Sequence, residues 1–198
     1  MSCVVLGALH YSHRPLAHGA PNVYGYMMKT LYLLRHAKSS WDDHSLVDHD
    51  RPLNGRGKHS ARLIGSYLRN GGHRPELALC STSTRTRQTL AAVIEELEVE
   101  PAIDWDGDLY LADAELMLDL LRAVSDTVDA VLMVGHNPGT AALADLLCAE
   151  GNASDLDLLR TKFPTAGLAI IDLQVDRWEQ VGRDRGRLRC FLRPRELM

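Results

Sequence analysis

The sequence lacks a long hydrophobic run, closely spaced cysteines and an excess of positive charge, and each absence argues against a class of protein. No apolar run approaches the roughly 20 residues of a membrane-spanning helix. Cys3, Cys80, Cys148 and Cys190 form no CxxC pair, so neither a zinc site nor a disulfide framework is predicted. A net charge of -4 and an isoelectric point near 6.1 argue against a dedicated nucleic-acid binder. We expect a cytoplasmic protein with reduced thiols and without a membrane or nucleic-acid partner.

The chain is long enough for one domain with a substantial core, since it has 198 residues, of which 45% are hydrophobic and 24% charged. Residues 1–28 contain Pro, Gly and His without periodicity and predict a flexible extension. No basic segment precedes the short apolar patch in this extension, which makes it a poor secretory signal. The folded domain is expected over residues 29–198.

The strongest single feature is an apolar, β-favouring run, residues 30–34, that ends abruptly in Arg35 and His36. This pattern is typical of a buried parallel strand, and open α/β sheets bind ligands at the carboxyl ends of such strands. A neighbouring guanidinium favours the neutral imidazole, which is a nucleophile, and arginine is suited to binding phosphate oxygens. A strand that simply ends at the surface explains the same residues without a function.

Two further apolar strands also end in polar residues. Residues 76–80 are followed by a Ser- and Thr-rich stretch that should cap a helix, with Arg85 in the first turn beside free backbone N–H groups. Residues 129–134 lead into Gly-His-Asn-Pro-Gly, which presents His136. Taken singly, Arg85 could be an exposed helix residue and His136 a structural histidine.

The remaining pattern predicts an α/β protein with a mostly parallel sheet and antiparallel additions near the C-terminus. A helix should begin after an N-cap at Asn54 and stop at Gly71. Further segments are predicted as an edge strand at 101–105, helices at 114–124 and 140–149, and strands at 168–173, 177–181 and 188–192.

Together, the three strand ends predict one pocket that contains Arg35, His36, Arg85 and His136. Two imidazoles and two guanidiniums without metal ligands suit a phosphoryl group, where catalysis depends chiefly on positioning and charge neutralisation. The sequence therefore predicts a phosphate site that needs no metal and no cofactor.

Four ordered motifs resemble the histidine phosphatase superfamily, which has the phosphoglycerate mutase-like fold, and in particular its small branch, the SixA-like phosphohistidine phosphatases. The motifs are Leu34-Arg35-His36-Ala37-Lys38-Ser39, Asp50-Arg51-Pro52-Leu53-Asn54, Ser81 through Arg85 to Thr89, and Val134-Gly135-His136-Asn137-Pro138-Gly139. The resemblance extends from about Lys29 to Arg195 and implies a three-layer αβα sandwich.

The resemblance also implies roles for individual residues. His36 would attack phosphorus in line and form a phosphohistidine intermediate that water then hydrolyses. Arg35, Arg85 and His136 would hold the phosphoryl oxygens, helped by the backbone amide of Asn137. Lys38, Asp42, Arg51 and Ser81 are the other candidate substrate-binding residues, and whether Lys38 and Arg51 touch phosphate or only shape the rim stays open.

Two positions depart from the family pattern. Asp42 stands where larger members have Asn, and a carboxylate there would repel phosphate unless it is protonated or turned away. The family's general-acid glutamate, expected near residues 109–111, has no clear match, although Asp42, Asp113 and Glu115 are candidates.

The lack of a clear general acid bears on the choice of substrate. An alkyl phosphate expels an alkoxide that needs a proton, whereas phosphohistidine expels imidazole, a good leaving group once its ring is protonated. Residues 105–131 hold about one helix and leave little material for a lid. We therefore favour a phosphatase acting on protein phosphohistidine. The alternatives are a phosphatase of a small phosphorylated metabolite and a non-catalytic phosphate-binding adaptor, and the oligomeric state is not predicted.

Overall fold

The structure, a computed structural model, describes residues 28–198, so all of the predicted extension except Met28 lies outside the described residues. Within this range a seven-stranded sheet forms the centre of the molecule. Its strands are β1 (Lys29–Arg35), β2 (Leu77–Ser81), β3 (Ala102–Asp106), β4 (Ala130–Gly135), β5 (Cys148–Gly151), β6 (Leu168–Leu173) and β7 (Gly186–Leu192). The strand order is β3-β2-β4-β1-β6-β7-β5. The helices are α1 (Gly55–Asn70), α2 (Thr84–Ile94), α3 (Ala114–Arg122), α4 (Gly139–Leu147) and α5 (Ala153–Thr161).

Helices cover both faces of the sheet, which confirms the three-layer αβα architecture. The side chains of β1 alternate between two cores, since Leu31 and Leu33 pack with α3, α4 and α5 while Tyr32 and Leu34 pack with α1 and α2. All four are fully buried. A strand buried on both faces must be apolar throughout, which is why this segment has no polar alternation.

The register of the central strands brings three chain segments to one edge of the sheet. β1 and β2 each pair in parallel with β4, and the pairs Arg35↔Gly135 and Cys80↔Val134 lie at their carboxyl ends. The predicted edge strand is also confirmed, because β3 pairs only with β2 in the sheet of the described residues. Residues that directly follow β1, β2 and β4 therefore meet at one place.

The sequence interpretation was wrong in two C-terminal regions. The helix predicted to reach residue 149 ends at Leu147, and Cys148 opens β5, a short strand parallel to β7 that was not predicted. The strand predicted at 177–181 is instead a 3₁₀ helix, Trp178–Gln180. Trp178 is fully buried, and its indole N–H donates to the Val128 carbonyl at 2.7 Å. This long-range anchor removes the segment from the sheet.

Across residues 28–198, no helix combines the length and the apolar content that are needed to cross a membrane. The segment between β3 and β4 holds α3 as its single helix in the described chain, and α3 packs against α4. It therefore adds to the outer layer on one face of the sheet.

Candidate active site

The four predicted pocket residues do meet at the sheet edge. Arg35 ends β1 and His36 follows it, while His136 follows β4 and Arg85 lies in the first turn of α2. The His36 backbone N–H donates to the Gly135 carbonyl at 3.0 Å, which ties the ends of β1 and β4 together. The rings of His36 and His136 have centroids 5.1 Å apart.

His36 has a defined tautomer. Its Nδ1 lies 2.8 Å from the Ala37 carbonyl oxygen, which can only accept, so Nδ1 carries the proton and Nε2 keeps its lone pair. The side chain is buried, and this burial, helped by the charges of Arg85 and Arg35, lowers its pKa to about 4 against the opposing hydrogen bond to Ala37. At neutral pH His36 is therefore an uncharged imidazole with a free nucleophilic nitrogen.

His136 has the opposite tautomer. An Arg85 Nη2 lies 3.3 Å from His136 Nδ1, and because a guanidinium can only donate, Nδ1 is the acceptor. The proton on Nε2 is then donated to Ser81 Oγ at 2.9 Å. Burial, followed by the influence of His36 and Arg85, lowers the pKa of His136 to about 3.

Arg35 and Asn137 share one anchor. Arg35 Nη1 and Asn137 Nδ2 both donate to the Phe163 carbonyl, at 2.8 and 3.1 Å. Arg35 Nε and Asn137 Oδ1 are buried without a partner in the described chain. Burial and the charge of Arg85 lower the pKa of Arg35. Two close guanidiniums with an unused buried donor are suited to a bound anion.

Asp48 is the site residue that the sequence interpretation missed. Its Oδ2 accepts from Arg85 Nη2 at 2.9 Å and from the Tyr110 hydroxyl at 2.7 Å, and its Oδ1 accepts from Arg51 Nη1 at 2.8 Å. Burial alone would raise its pKa, but the hydrogen bonds from Tyr110, Arg51 and Arg85 prevail and lower it to about 2. The carboxylate is ionised at neutral pH and partly neutralises the positive charges of Arg85 and Arg51.

Tyr110 was missed as well. Its ring packs edge-on against His136, with centroids 5.3 Å apart, and against His49, at 4.9 Å. The segment around residue 110, where the family's glutamate was sought, thus contributes a hydroxyl that binds Asp48. For Asp48, the only signal in the sequence was the Asp-rich loop before Arg51, and nothing there distinguished it from the other three aspartates.

Comparisons with known proteins establish the family of this chain. The family model of the histidine phosphatase superfamily (branch 1) matches residues 31–107. An uncharacterised protein of Mycobacterium leprae is 36% identical over 167 residues, which are 82% of this chain and 100% of the relative. A candidate phosphohistidine phosphatase SixA from Agrobacterium tumefaciens superimposes with a TM-score of 0.69 at 35% identity and covers 84% of this chain and 98% of its own. The chain belongs to the histidine phosphatase superfamily.

A second solved structure supports the SixA-like resemblance. The candidate phosphohistidine phosphatase SixA of Nakamurella multipartitia has a TM-score of 0.73 at 28% identity and covers 84% of this chain and 96% of its own. The protein is a phosphatase of the histidine phosphatase superfamily, with the fold and enzyme class that its motifs predicted.

The other candidate binding residues of this histidine phosphatase lie in different surroundings. Arg51 is buried, directs Nη2 to Ser39 Oγ and Nε to the Ser40 carbonyl, and packs its guanidinium on the Trp41 ring. With Nη1 on Asp48, Arg51 is committed to protein groups and shapes the rim. Lys38 contributes its carbonyl oxygen, which accepts from the Asn54 backbone N–H at 3.0 Å.

Asp42 and Asp113 are hydrogen-bonded within their own segments, and Glu115 is exposed. Asp42 is exposed and accepts from Ser40 Oγ at 2.7 Å, and it lines a neighbouring surface pocket. Asp113 caps α3 by accepting from the Leu116 backbone N–H at 2.9 Å, and Glu115 is exposed in the first turn of the same helix. Asp48 is the carboxylate that the described structure bonds to the Arg85 guanidinium.

Within residues 28–198, no three His, Cys, Asp or Glu side chains are grouped closely enough to hold a metal ion.

Proposed function

We propose that this phosphatase works through a phosphohistidine intermediate on His36 and that protein phosphohistidine is its favoured substrate. The observation that carries the proposal is the buried, neutral His36, whose Nε2 lone pair faces no competing proton and whose neighbours are two guanidiniums. In-line attack by Nε2 on phosphorus, with charge held by Arg35, Arg85 and His136, requires no metal.

The tautomer of His36 suits both chemical steps. The Ala37 carbonyl keeps the proton on Nδ1, so the phosphorylated ring is a cation and a good leaving group when water attacks. The orphaned Arg35 Nε supplies an additional donor for a phosphoryl oxygen. The backbone amide of Asn137 precedes α4, and the resemblance to the family implies that it helps to hold the phosphoryl oxygens.

An apolar rim supports a protein substrate. We use this name for Trp41, Leu46, Val47 and Leu111, whose exposed fractions are 61%, 38%, 65% and 53%. Trp41 packs on Arg51, Val47 precedes Asp48, and Leu111 follows Tyr110, so each of these three residues adjoins a residue of the site. Leu111 has a φ of 55°, a strained conformation for leucine that is tolerated where it serves a function. A protein surface would bury these side chains, whereas a small polar metabolite would not.

The first experiment measures phosphate release in the presence of EDTA from three substrates: a histidine-phosphorylated phosphotransfer protein, p-nitrophenyl phosphate and a phosphoglycerate. We expect the phosphoprotein to have the highest kcat/KM and His36→Ala to abolish turnover of all three. His59→Ala is the matched control, because His59 is exposed on α1 and should leave the rates unchanged.

Two other results of this experiment would favour the alternative functions. Faster release from the phosphoglycerate would favour a small-metabolite phosphatase with the same mechanism. Binding of inorganic phosphate without hydrolysis of any substrate would favour the adaptor and remove the proposed role of His36.

A further inference from the structure

The Asp48 side chain is half exposed, although the two arginines that bind it are buried. Its two arginine partners, Arg85 and Arg51, have side chains that are only 4% and 8% exposed, while the Asp48 side chain is 47% exposed. Oδ2 accepts two hydrogen bonds, and Oδ1 accepts one, from Arg51. Because a carboxylate oxygen has two lone pairs, Oδ1 retains the capacity to accept one more donor.

The carboxylate also lies within electrostatic reach of the reacting centre. Its negative charge acts on both His36 and His136, where it opposes the lowering of their pKa by burial. Because three donors keep Asp48 ionised, it has no proton to give to an alkoxide. It is suited instead to accept a hydrogen bond from a cationic donor.

We propose that Asp48 forms a leaving-group subsite, in which its carboxylate accepts the ring N–H of a phosphorylated imidazole and so selects phosphoramidates over phosphate esters. The inference rests on the proposed function and deepens it, because it names the group that recognises the leaving side of the substrate. Asp48 would do for the substrate ring what the Ala37 carbonyl does for His36, namely keep a proton on the nitrogen that does not react.

The transfer step balances without a proton donor. The His36 Nε2 lone pair forms a bond to phosphorus as the substrate P–N bond breaks, and that electron pair goes to the departing ring nitrogen. The substrate begins as an imidazolium and leaves as neutral imidazole with its other N–H still on Asp48. Phospho-His36 becomes the cation, and water then gives dihydrogen phosphate and neutral His36.

The test compares phosphoimidazole with phospho-N-methylimidazole, which has no N–H on the distal nitrogen. Both are assayed with the native protein, with Asp48→Asn, which keeps the size and loses the charge, and with Asp50→Asn. Asp50 lies in the same 3₁₀ helix, has a side chain that is 58% exposed and contacts the half-buried His49, which makes it the matched control. A charge-assisted hydrogen bond corresponds to about a 10-fold effect or more.

We expect Asp48→Asn to lower kcat/KM for phosphoimidazole at least about 10-fold more than for the N-methyl analogue, and Asp50→Asn to change neither. Equal losses on both substrates would mean that Asp48 only orients Arg85, and equal gains would mean that it competes with phosphate, so either result overturns the inference. If Asp48→Asn does not fold, the native protein decides: after division by the uncatalysed rates, it should disfavour the N-methyl analogue by a similar factor.

The two proposals fail separately. A native protein that leaves phosphoimidazole and the phosphoprotein untouched contradicts the proposed function. A native protein that hydrolyses them, but shows no coupling between Asp48 and the distal N–H, contradicts the leaving-group subsite alone.

Discussion

Two imidazoles with opposite tautomers face each other in the pocket, and each tautomer is set by a partner that has only one hydrogen-bonding role. A carbonyl fixes the proton of His36 on Nδ1, and a guanidinium excludes it from Nδ1 of His136. Burial is the largest cause of the low pKa of both rings, ahead of the neighbouring charges. The sequence analysis predicted a neutral imidazole at His36 because a cation, Arg35, is adjacent. The structure agrees that the ring is neutral, but burial contributes more to this than the neighbouring charge.

At this scale we predict that neither His36 nor His136 becomes protonated between pH 8 and pH 5.5, because burial lowers their pKa values to about 4 and about 3. Long-range ¹H–¹⁵N spectra of histidine-labelled protein, with His36→Ala for assignment, would give both tautomers and both titrations. The exposed His44 is the internal control. Titration of either buried ring near 6.5 would contradict the described environment.

The same shifts have a defined sign for stability. As the pH falls, the unfolded chain takes up protons at histidine near 6.5, before the folded protein does so near 4 at His36. The stability that the neutral rings contribute is therefore complete above pH 6.5 and is lost progressively below it. Asp48 adds a loss in the same direction below about pH 3.8, toward its folded pKa of about 2.

At the scale of elements, the loop that carries Asp48 is closed at its base. Ser39 and Leu53 form an isolated antiparallel bridge, and the Ser40 backbone N–H donates to the Pro52 carbonyl at 2.8 Å. α1 begins immediately afterwards, with the Asn54 side chain accepting from the Gly57 backbone N–H at 2.8 Å, which confirms the predicted N-cap. The start of α1 thus supports both ends of the loop.

Gly57 is the position where this support is tightest. A Cβ there would overlap the Lys38 carbonyl oxygen, whereas a Cβ on Gly55 would meet nothing within 4 Å. We expect Gly57→Ala to lower the free energy of unfolding by about 1–3 kcal/mol. Gly55→Ala, the matched control, should be neutral or stabilising by up to about 1 kcal/mol. Urea denaturation measures both, and an unchanged midpoint for Gly57→Ala would contradict the close approach.

For the whole molecule, the feature that bears on the reaction is how little chain the segment between β3 and β4 offers to cover the site. Between β3 and β4 the described chain provides α3 alone, and α3 is committed to packing on α4. Sequestering a phosphoenzyme from water generally requires closure over the site, so a segment of this size favours hydrolysis over transfer to a second substrate hydroxyl.

We predict that the apolar rim affects a phosphoprotein substrate and not a small one. Val47→Ser and Leu111→Asn should each raise KM for a histidine-phosphorylated protein about 5- to 10-fold, because each removes about 1–1.5 kcal/mol of apolar burial. The rate with p-nitrophenyl phosphate should stay within about two-fold. Leu116→Ser is the control, because Leu116 is 39% exposed on α3. Equal effects on both substrates would argue against docking at the rim.

The sequence by itself determined the parallel centre of the fold and the meeting of four candidate residues at its edge. The reason is local: strands buried on both faces must be apolar throughout, so the change to Arg35-His36 and to Gly135-His136 marks their carboxyl ends. The cap at Asn54 and the start of α2 before Arg85 are likewise set by neighbouring residues. Ser83 precedes α2 as expected, although its hydroxyl bonds to Thr86 Oγ1 and makes no hydrogen bond to the helix backbone.

Only the tertiary structure decided which loop carboxylate enters the site and how the C-terminal strands are arranged. Asp42 and Asp48 are both aspartates of the same loop, so the sequence does not distinguish them. Asp48 enters the site because it binds Arg85 and Tyr110, which lie 37 and 62 residues away in the chain. Trp178 leaves the sheet because a carbonyl 50 residues away accepts its indole proton. Contacts over such separations depend on the folded arrangement of whole elements, so local patterns of residues do not encode them.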